Sequence, residues 1–256
     1  MLKAFLERLR QGHRTIPFPG GASLPDSFRG RPVLDASRCV DGCRACAARC
    51  PTDAIEVSPE LKLDLGRCLF CAECVAACPE GAIRFGSDYR MATRRRDDLV
   101  VGKEPFLLAG ALDLEARRLF GRSLRLRQVS AGGSAGCELE AAALSNIVFD
   151  LGRFGIQFVA SPRHADGLLI TGPVTRNMKL ALLKTYEAVP PPKIVIAVGA
   201  AAISGGPFAG YPEVLDGAAS VVPVDLFVPG HPPHPLTILD GLLRLLGRIR
   251  EPAPPR

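Results

Sequence analysis

No apolar run in this 256-residue chain reaches the roughly 18 residues a membrane-spanning helix needs. The longest candidate, Ile194 to Ile203, stops between Lys193 and Ser204-Gly205-Gly206. That excludes a membrane-spanning helix. No secretory leader precedes the cysteines, so a reducing compartment without disulfides is expected. No segment resembles a nucleic-acid-binding module, and no nucleic-acid partner is expected. What is present is a chain that is 47% hydrophobic, enough for a substantial core. Its length suggests two domains. The net charge is +6, but the excess is local: residues 90–127 hold ten Lys/Arg against five Asp/Glu. Such a stretch suits acidic partner subunits or anionic lipid, or is simply a solvated linker.

Cysteine is the informative residue. Eight of the nine fall in two near-copies of one pattern. Cys39, Cys43, Cys46 and Cys50 precede Pro51; Cys68, Cys71, Cys74 and Cys78 precede Pro79. The second set reads C-x2-C-x2-C-x3-C-P, the run that ligates a [4Fe–4S] cluster in bacterial ferredoxins. The first has one extra residue after Cys39, which either bulges harmlessly or weakens its cluster. The copies extend beyond the cysteines, Cys50-Pro-Thr-Asp-Ala-Ile against Cys78-Pro-Glu-Gly-Ala-Ile. Three thiolates on a tight loop wrap one face of a cubane, and in two-cluster ferredoxins the fourth comes from the other run. That rule predicts Cys39, Cys43, Cys46 and Cys78 on cluster 1, and Cys68, Cys71, Cys74 and Cys50 on cluster 2. Each proline ends its loop by fixing φ and removing a donor. Four-cysteine zinc sites also use C-x2-C pairs, but seldom place three cysteines in one short loop before Cys-Pro. Two clusters on one chain imply one-electron transfer.

Around this unit the pattern divides the chain. Leu2, Phe5, Leu6 and Leu9 recur at helical spacing among Lys3, Arg8 and Arg10. Such a basic amphipathic helix suits a membrane surface or a partner; Pro17 and Pro19 end it. Residues 1–37 are read as helix and arm, 38–88 as an α+β ferredoxin-like two-cluster domain, and 89–122 as a basic connector. Residues 123–250 form a second domain, and 251–256 a tail. In that domain Leu124–Val129, Ile156–Ala160, Leu168–Thr171 and Ile194–Val198 read as strands. Cys137–Phe149, Val174–Glu187 and Leu236–Ile249 read as helices. The alternation predicts an α/β flavodoxin-like three-layer domain with a parallel sheet. Its strand-end loops are Ala131–Gly136, Gly172–Thr175 and Gly199–Gly206, where sites are built in such folds.

Four blocks of this second domain carry a resemblance: Gly136-Cys-Glu-Leu-Glu140, Ser161 to Arg176, Ile196 to Gly206, and Val224 to Pro233. They are similar to the small subunit of formate hydrogenlyase-type [NiFe]-hydrogenases and to the 20 kDa, NuoB-type subunit of complex I. The first hundred residues resemble the two-cluster ferredoxin subunit of the same complexes. The chain thus looks like a fusion of two neighbouring subunits. The resemblance implies an iron–sulfur electron-transfer subunit, cytoplasmic and peripheral on the inner face of the cell membrane. It implies a hydrogenase/complex I-type large subunit and membrane subunits as partners. A docking subunit, or a tethered ferredoxin, of a non-hydrogenase complex is the alternative. No catalytic site of its own is expected.

The family's small subunit holds a proximal [4Fe–4S] cluster with four cysteines, of which only Cys137 remains here. The resemblance puts the other ligand positions at Ser134 (or Gly136, in the adjacent-cysteine spacing), Ala201 and His231. Alanine and glycine offer no donor. Two [4Fe–4S] clusters and no third are therefore expected, with His231 filling the vacated pocket against Cys137 and Ala201.

Overall fold

The computed structural model describes residues 2–22 and 24–249; the expected tail, and residue 250 of the expected second domain, lie outside the described residues. The chain opens with helix α1 (Leu2–Gln11), followed by an irregular arm. The cysteine-rich unit comprises β1 (Pro32–Leu34), α2 (Ala45–Ala48), β2 (Ile55–Glu56), β3 (Lys62–Asp64), α3 (Glu73–Ala77) and β4 (Ile83–Phe85). The sequence duplication is visible as a structural one. Each Cys-Pro is followed by an Ala-Ile whose isoleucine opens a short strand, Ile55 in β2 and Ile83 in β4. β4 pairs antiparallel with β1, and β2 with β3.

The stretch read as a connector does more than connect. Its strand β5 (Val100–Val101) pairs antiparallel with β3, completing a three-stranded sheet in the cysteine-rich unit. Thr93 exchanges two backbone hydrogen bonds with Phe227, at 3.0 and 2.9 Å, along the edge of the second sheet. Met91, Ala92, Thr93 and Leu99 are all buried. The helical pattern within the stretch is α4 (Leu114–Phe120), capped by the Asp113 side chain on the Ala116 N–H.

The second domain runs β6 (Leu124–Ser130), α5 (Gly136–Ala143), β7 (Ile156–Phe158), β8 (Gly167–Thr171), α6 (Arg176–Ala188), β9 (Ile194–Val198), α7 (Ala200–Ser204), β10 (Leu226–Val228) and α8 (Pro235–Leu245). All five strands are parallel, in the order β10-β9-β8-β6-β7. Counted from β6 this is 2-1-3-4-5, the flavodoxin-like doubly wound order. β8 and β9 are buried on both faces, so they are apolar throughout rather than alternating. Their side chains nonetheless sort by period two. Leu168, Ile170, Val195 and Ala197 face a core shared with α6, α7 and the cysteine-rich unit. Leu169, Ile194, Ile196 and Val198 face α5 and α8. Helix α8 is buried along its whole length, including a 2.7 Å Asp240–Arg244 ion pair.

Some elements differ from the sequence reading. The helix expected over Cys137–Phe149 ends at Ala143, because the Asn146 side chain accepts from the N–H groups of Val148 and Phe149 and turns the chain out of helix. β7 is two residues shorter than expected. The Gly199–Gly206 loop contains α7, and β10 lies in a stretch that carried no strand expectation.

Candidate iron–sulfur centres

The two cysteine loops solve one geometric problem in two ways. In the second, Phe70 (φ +54°) and Ala72 (φ +69°) take left-handed backbone, which costs roughly 1–2 kcal/mol each for a non-glycine residue. That bends Cys68, Cys71 and Cys74 around one opening, and α3 starts directly after. In the first, the additional residue after Cys39 lets the chain turn through Gly42 at φ +74°, where no side chain resists. α2 then carries Cys46 inward.

The sulfurs of the two runs interleave. Cys39, Cys43, Cys46 and Cys78 line one apolar pocket. Cys50, Cys68, Cys71 and Cys74 line a second. The walls correspond across the repeat: Ala82, Ile83 and Leu61 around the first, Ala54, Ile55 and Leu63 around the second. All nine cysteines are unbridged. Among the described residues, no three His, Cys, Asp or Glu side chains gather closely enough to hold a single metal ion. The sulfurs ring a space instead.

Backbone N–H groups are aimed at these sulfurs. Cys50 Sγ accepts from the Ala54 N–H at 3.2 Å, and Cys78 Sγ from the Ala82 N–H at 3.3 Å. Cys68 Sγ accepts from the Phe70 N–H at 3.3 Å. Burial pushes the Cys68 thiol up to about 12, against the Phe70 N–H, and the Cys74 thiol up to about 11, with neighbouring cysteines adding to both. Burial also raises Cys46. Such thiolates become stable only beside positive metal. Apolar walls, N–H donors on sulfur and one thiolate for each corner fit an iron–sulfur cubane.

The expected proximal-cluster positions lie at three loops of the second domain. Cys137 is buried at the start of α5, and its sulfur packs on Gly199. The Ala200 N–H donates to the Gly230 carbonyl at 2.8 Å, joining the loops of Ala201 and His231. Ala201 is buried, while Ser134 stands exposed. Burial lifts the Cys137 thiol to about 12. His231 lines a cavity of about 360 Å³ with Glu140, Thr237, the arm residue Arg29 and Cys71. Neither Cys137 nor Ala201 lines that cavity. His231 thus borders the same cavity as Cys71 of the second cysteine loop. Its Nδ1 and the Thr237 hydroxyl are buried with no hydrogen-bond partner among the described residues, and burial lowers the imidazole's proton affinity.

Glu140 entered only as the end of the Gly136–Glu140 block, and Thr237 and Arg29, which donates to the Phe70 carbonyl at 2.9 Å, carried no sequence signal. Nor did the sulfur-bonding role of Ala54 and Ala82, although the repeated Cys-Pro-x-x-Ala-Ile marks both positions.

Residues 135–245 match the family model of the NADH ubiquinone oxidoreductase 20 kDa subunit, and residues 38–82 that of a 4Fe-4S dicluster domain. An NADH-quinone oxidoreductase subunit of Heliobacterium modesticaldum is 45% identical over 122 residues, 47% of this chain and 70% of that protein. The chain belongs to the 20 kDa subunit family. The probable membrane-bound hydrogenase subunit mbhJ of Pyrococcus furiosus is 41% identical over 134 residues, 52% of this chain and 80% of that protein. Formate hydrogenlyase subunit 7 of Escherichia coli is 45% identical over 130 residues, and the match spans 51% of each chain. Only about half of that relative's length is therefore represented. In this chain a dicluster unit precedes the 20 kDa-type domain.

Proposed function

We propose that this chain is the iron–sulfur electron-transfer subunit of a membrane-associated complex related to hydrogenases and complex I. Cys39, Cys43, Cys46 and Cys78 hold one [4Fe–4S] cluster, and Cys50, Cys68, Cys71 and Cys74 the other. The supporting observation is the interleaving of the two runs around two separate apolar cavities. When bound, the clusters supply one-electron transfer between a donor and the partner large subunit. The protein's part is to keep water from the sulfurs with Leu61, Leu63, Ile55 and Ile83, and to direct the Ala54, Phe70 and Ala82 N–H groups at them.

In this reading the cysteine-rich unit, which takes in β1 and β5 beyond the expected 38–88, forms the two-cluster domain, and 123–250 the platform that docks the large subunit. That platform holds no cubane, since Ser134, Ala201 and His231 stand where cysteines would be needed. Leu139, highly exposed on α5 beside the open 132–135 loop, suits such docking. The subunit sits at the cytoplasmic face of the membrane, with membrane subunits as neighbours and α1 touching the membrane surface. Iron analysis and electron paramagnetic resonance of the reconstituted chain test the cluster count. About eight irons and two interacting [4Fe–4S] signals are expected. About twelve irons would place a third cluster in the platform, and four or fewer would reject the two-cluster assignment.

A second reading is a docking subunit, or tethered ferredoxin, of a non-hydrogenase complex. The missing proximal ligands favour it. A co-purifying large subunit that lacks metal-binding cysteines decides for it, and one that keeps them decides against it.

A further inference from the structure

Helix α1 spaces Leu2, Phe5, Leu6 and Leu9 so that all four share one stripe. Among the described residues the stripe covers nothing. The four side chains are 74, 61, 54 and 65% exposed, and α1 buries no residue. A ten-residue helix is marginal in water on its own. Its length, about 15 Å, is half the hydrocarbon thickness, so it cannot span a bilayer and can only lie along one.

Charge points to what lies beneath it. Lys3, Arg8, Arg10 and Arg14 are opposed only by Glu7 over residues 2–14. Basic side chains flanking an apolar stripe are the pattern of helices that rest on anionic lipid.

The root of α1 carries a second, independent observation. The Ile16 N–H donates to the Val148 carbonyl at 2.8 Å, and Arg153 donates to the Ile16 carbonyl at 2.8 Å. The chain leaving α1 is thus pinned to the turn that follows α5. That turn exposes Ile147 to 63%, with Val148 beside it and the cationic Arg153 nearby. An exposed apolar residue is repeated where the helix is rooted.

We infer that α1 is an interfacial anchor for anionic phospholipid. Leu2, Phe5, Leu6 and Leu9 enter the acyl boundary, the four basic side chains engage lipid phosphates, and Ile147 is a second point of contact. The inference rests on the membrane-surface contact in the reading above and names its partner as the lipid itself rather than a membrane subunit. It requires neither the clusters nor any other subunit.

The test is sedimentation of the full reconstituted chain, alone, with vesicles of phosphatidylcholine plus phosphatidylglycerol and with phosphatidylcholine vesicles. Strong binding to the anionic vesicles is expected, weakened by salt, with little binding to the neutral ones. Phe5→Asp with Leu9→Asp should abolish binding. Arg8→Glu with Arg10→Glu should weaken it about tenfold or more. Ile147→Asp should weaken it less. None of these side chains is buried, so fold and iron content should be unchanged. Equal binding to both vesicle types, binding that survives Phe5→Asp with Leu9→Asp, or no binding to either would overturn the anchor. The last result would assign the stripe to a protein partner. A chain that binds anionic vesicles but holds no iron defeats the cluster reading and leaves the anchor standing; one that holds both clusters and ignores lipid does the reverse.

Discussion

The Cys137 sulfur rests directly on Gly199: a Cβ at Gly199 would lie 2.4 Å from it. Gly199 also holds φ +93°, where side chains are rarely tolerated. Gly199→Ala should therefore destabilise the chain by about 2 kcal/mol or more, combining backbone strain with overpacking. Cys137→Ala alone should cost on the order of 1 kcal/mol and leave iron content unchanged. Combining the two should recover the overpacking part and not the strain. Chemical denaturation of the four proteins measures this coupling. Strictly additive losses would mean that the sulfur and Gly199 are not in contact.

Cys78 lines the cavity of Cys39, Cys43 and Cys46, although it belongs to the other run. Replacing Cys78 with Ala should remove the signal of that cluster and spare the other. Loss of the Cys68, Cys71 and Cys74 cluster instead would reverse the assignment. Oxygen exposure should bleach the Cys39 cluster first, because its loop is the longer one.

Asp88 ties the arm to the cysteine-rich unit. It accepts from Arg31 at 2.9 Å and from both Nε and a terminal nitrogen of Arg90 at 2.7 and 2.9 Å. Burial disfavours the carboxylate, but these donors outweigh it, and the group titrates below its ordinary 3.8. Its stabilising contribution is thus complete above pH of about 4 and is lost as pH falls through the lowered value. Asp88→Asn should cost on the order of 1–2 kcal/mol at neutral pH and make acid unfolding less steep. An unchanged acid limb in urea titrations of the variant would contradict this.

Ser134→Cys, Ala201→Cys and His231→Cys together should raise the iron content of the reconstituted chain from about eight to about twelve. An unchanged iron content would show that the loops have lost the geometry of a cluster cradle.

The sequence was most legible where chemistry depends on spacing along the chain. The eight cysteines stood out because a cluster loop needs its sulfurs at fixed intervals. β8 and β9 stood out because strands buried on both faces read as unbroken apolar runs. Short elements set by tertiary packing did not. α7 spans five residues between Gly199 and Gly205, and β10 spans three before a proline-rich turn. Asn146 ended α5 through a side-chain bond that apolar periodicity does not register. The cavity of His231, Glu140, Thr237 and Arg29 was invisible for the same reason. Its walls come from the arm, a cysteine loop and two parts of the second domain, which meet only in the folded chain.

Thr93 is hydrogen-bonded to the edge of the five-stranded sheet while Val100 and Val101 complete the sheet beneath the cysteines, and the Ser204 hydroxyl spans the two units to the Gly66 carbonyl at 2.8 Å. A diffusing electron carrier must find its docking partner, at a rate that falls with dilution. In the proposed reading there is no such encounter: carrier and platform would arrive together, at an effective concentration fixed by the chain rather than by the cell, and their stoichiometry would be set by translation.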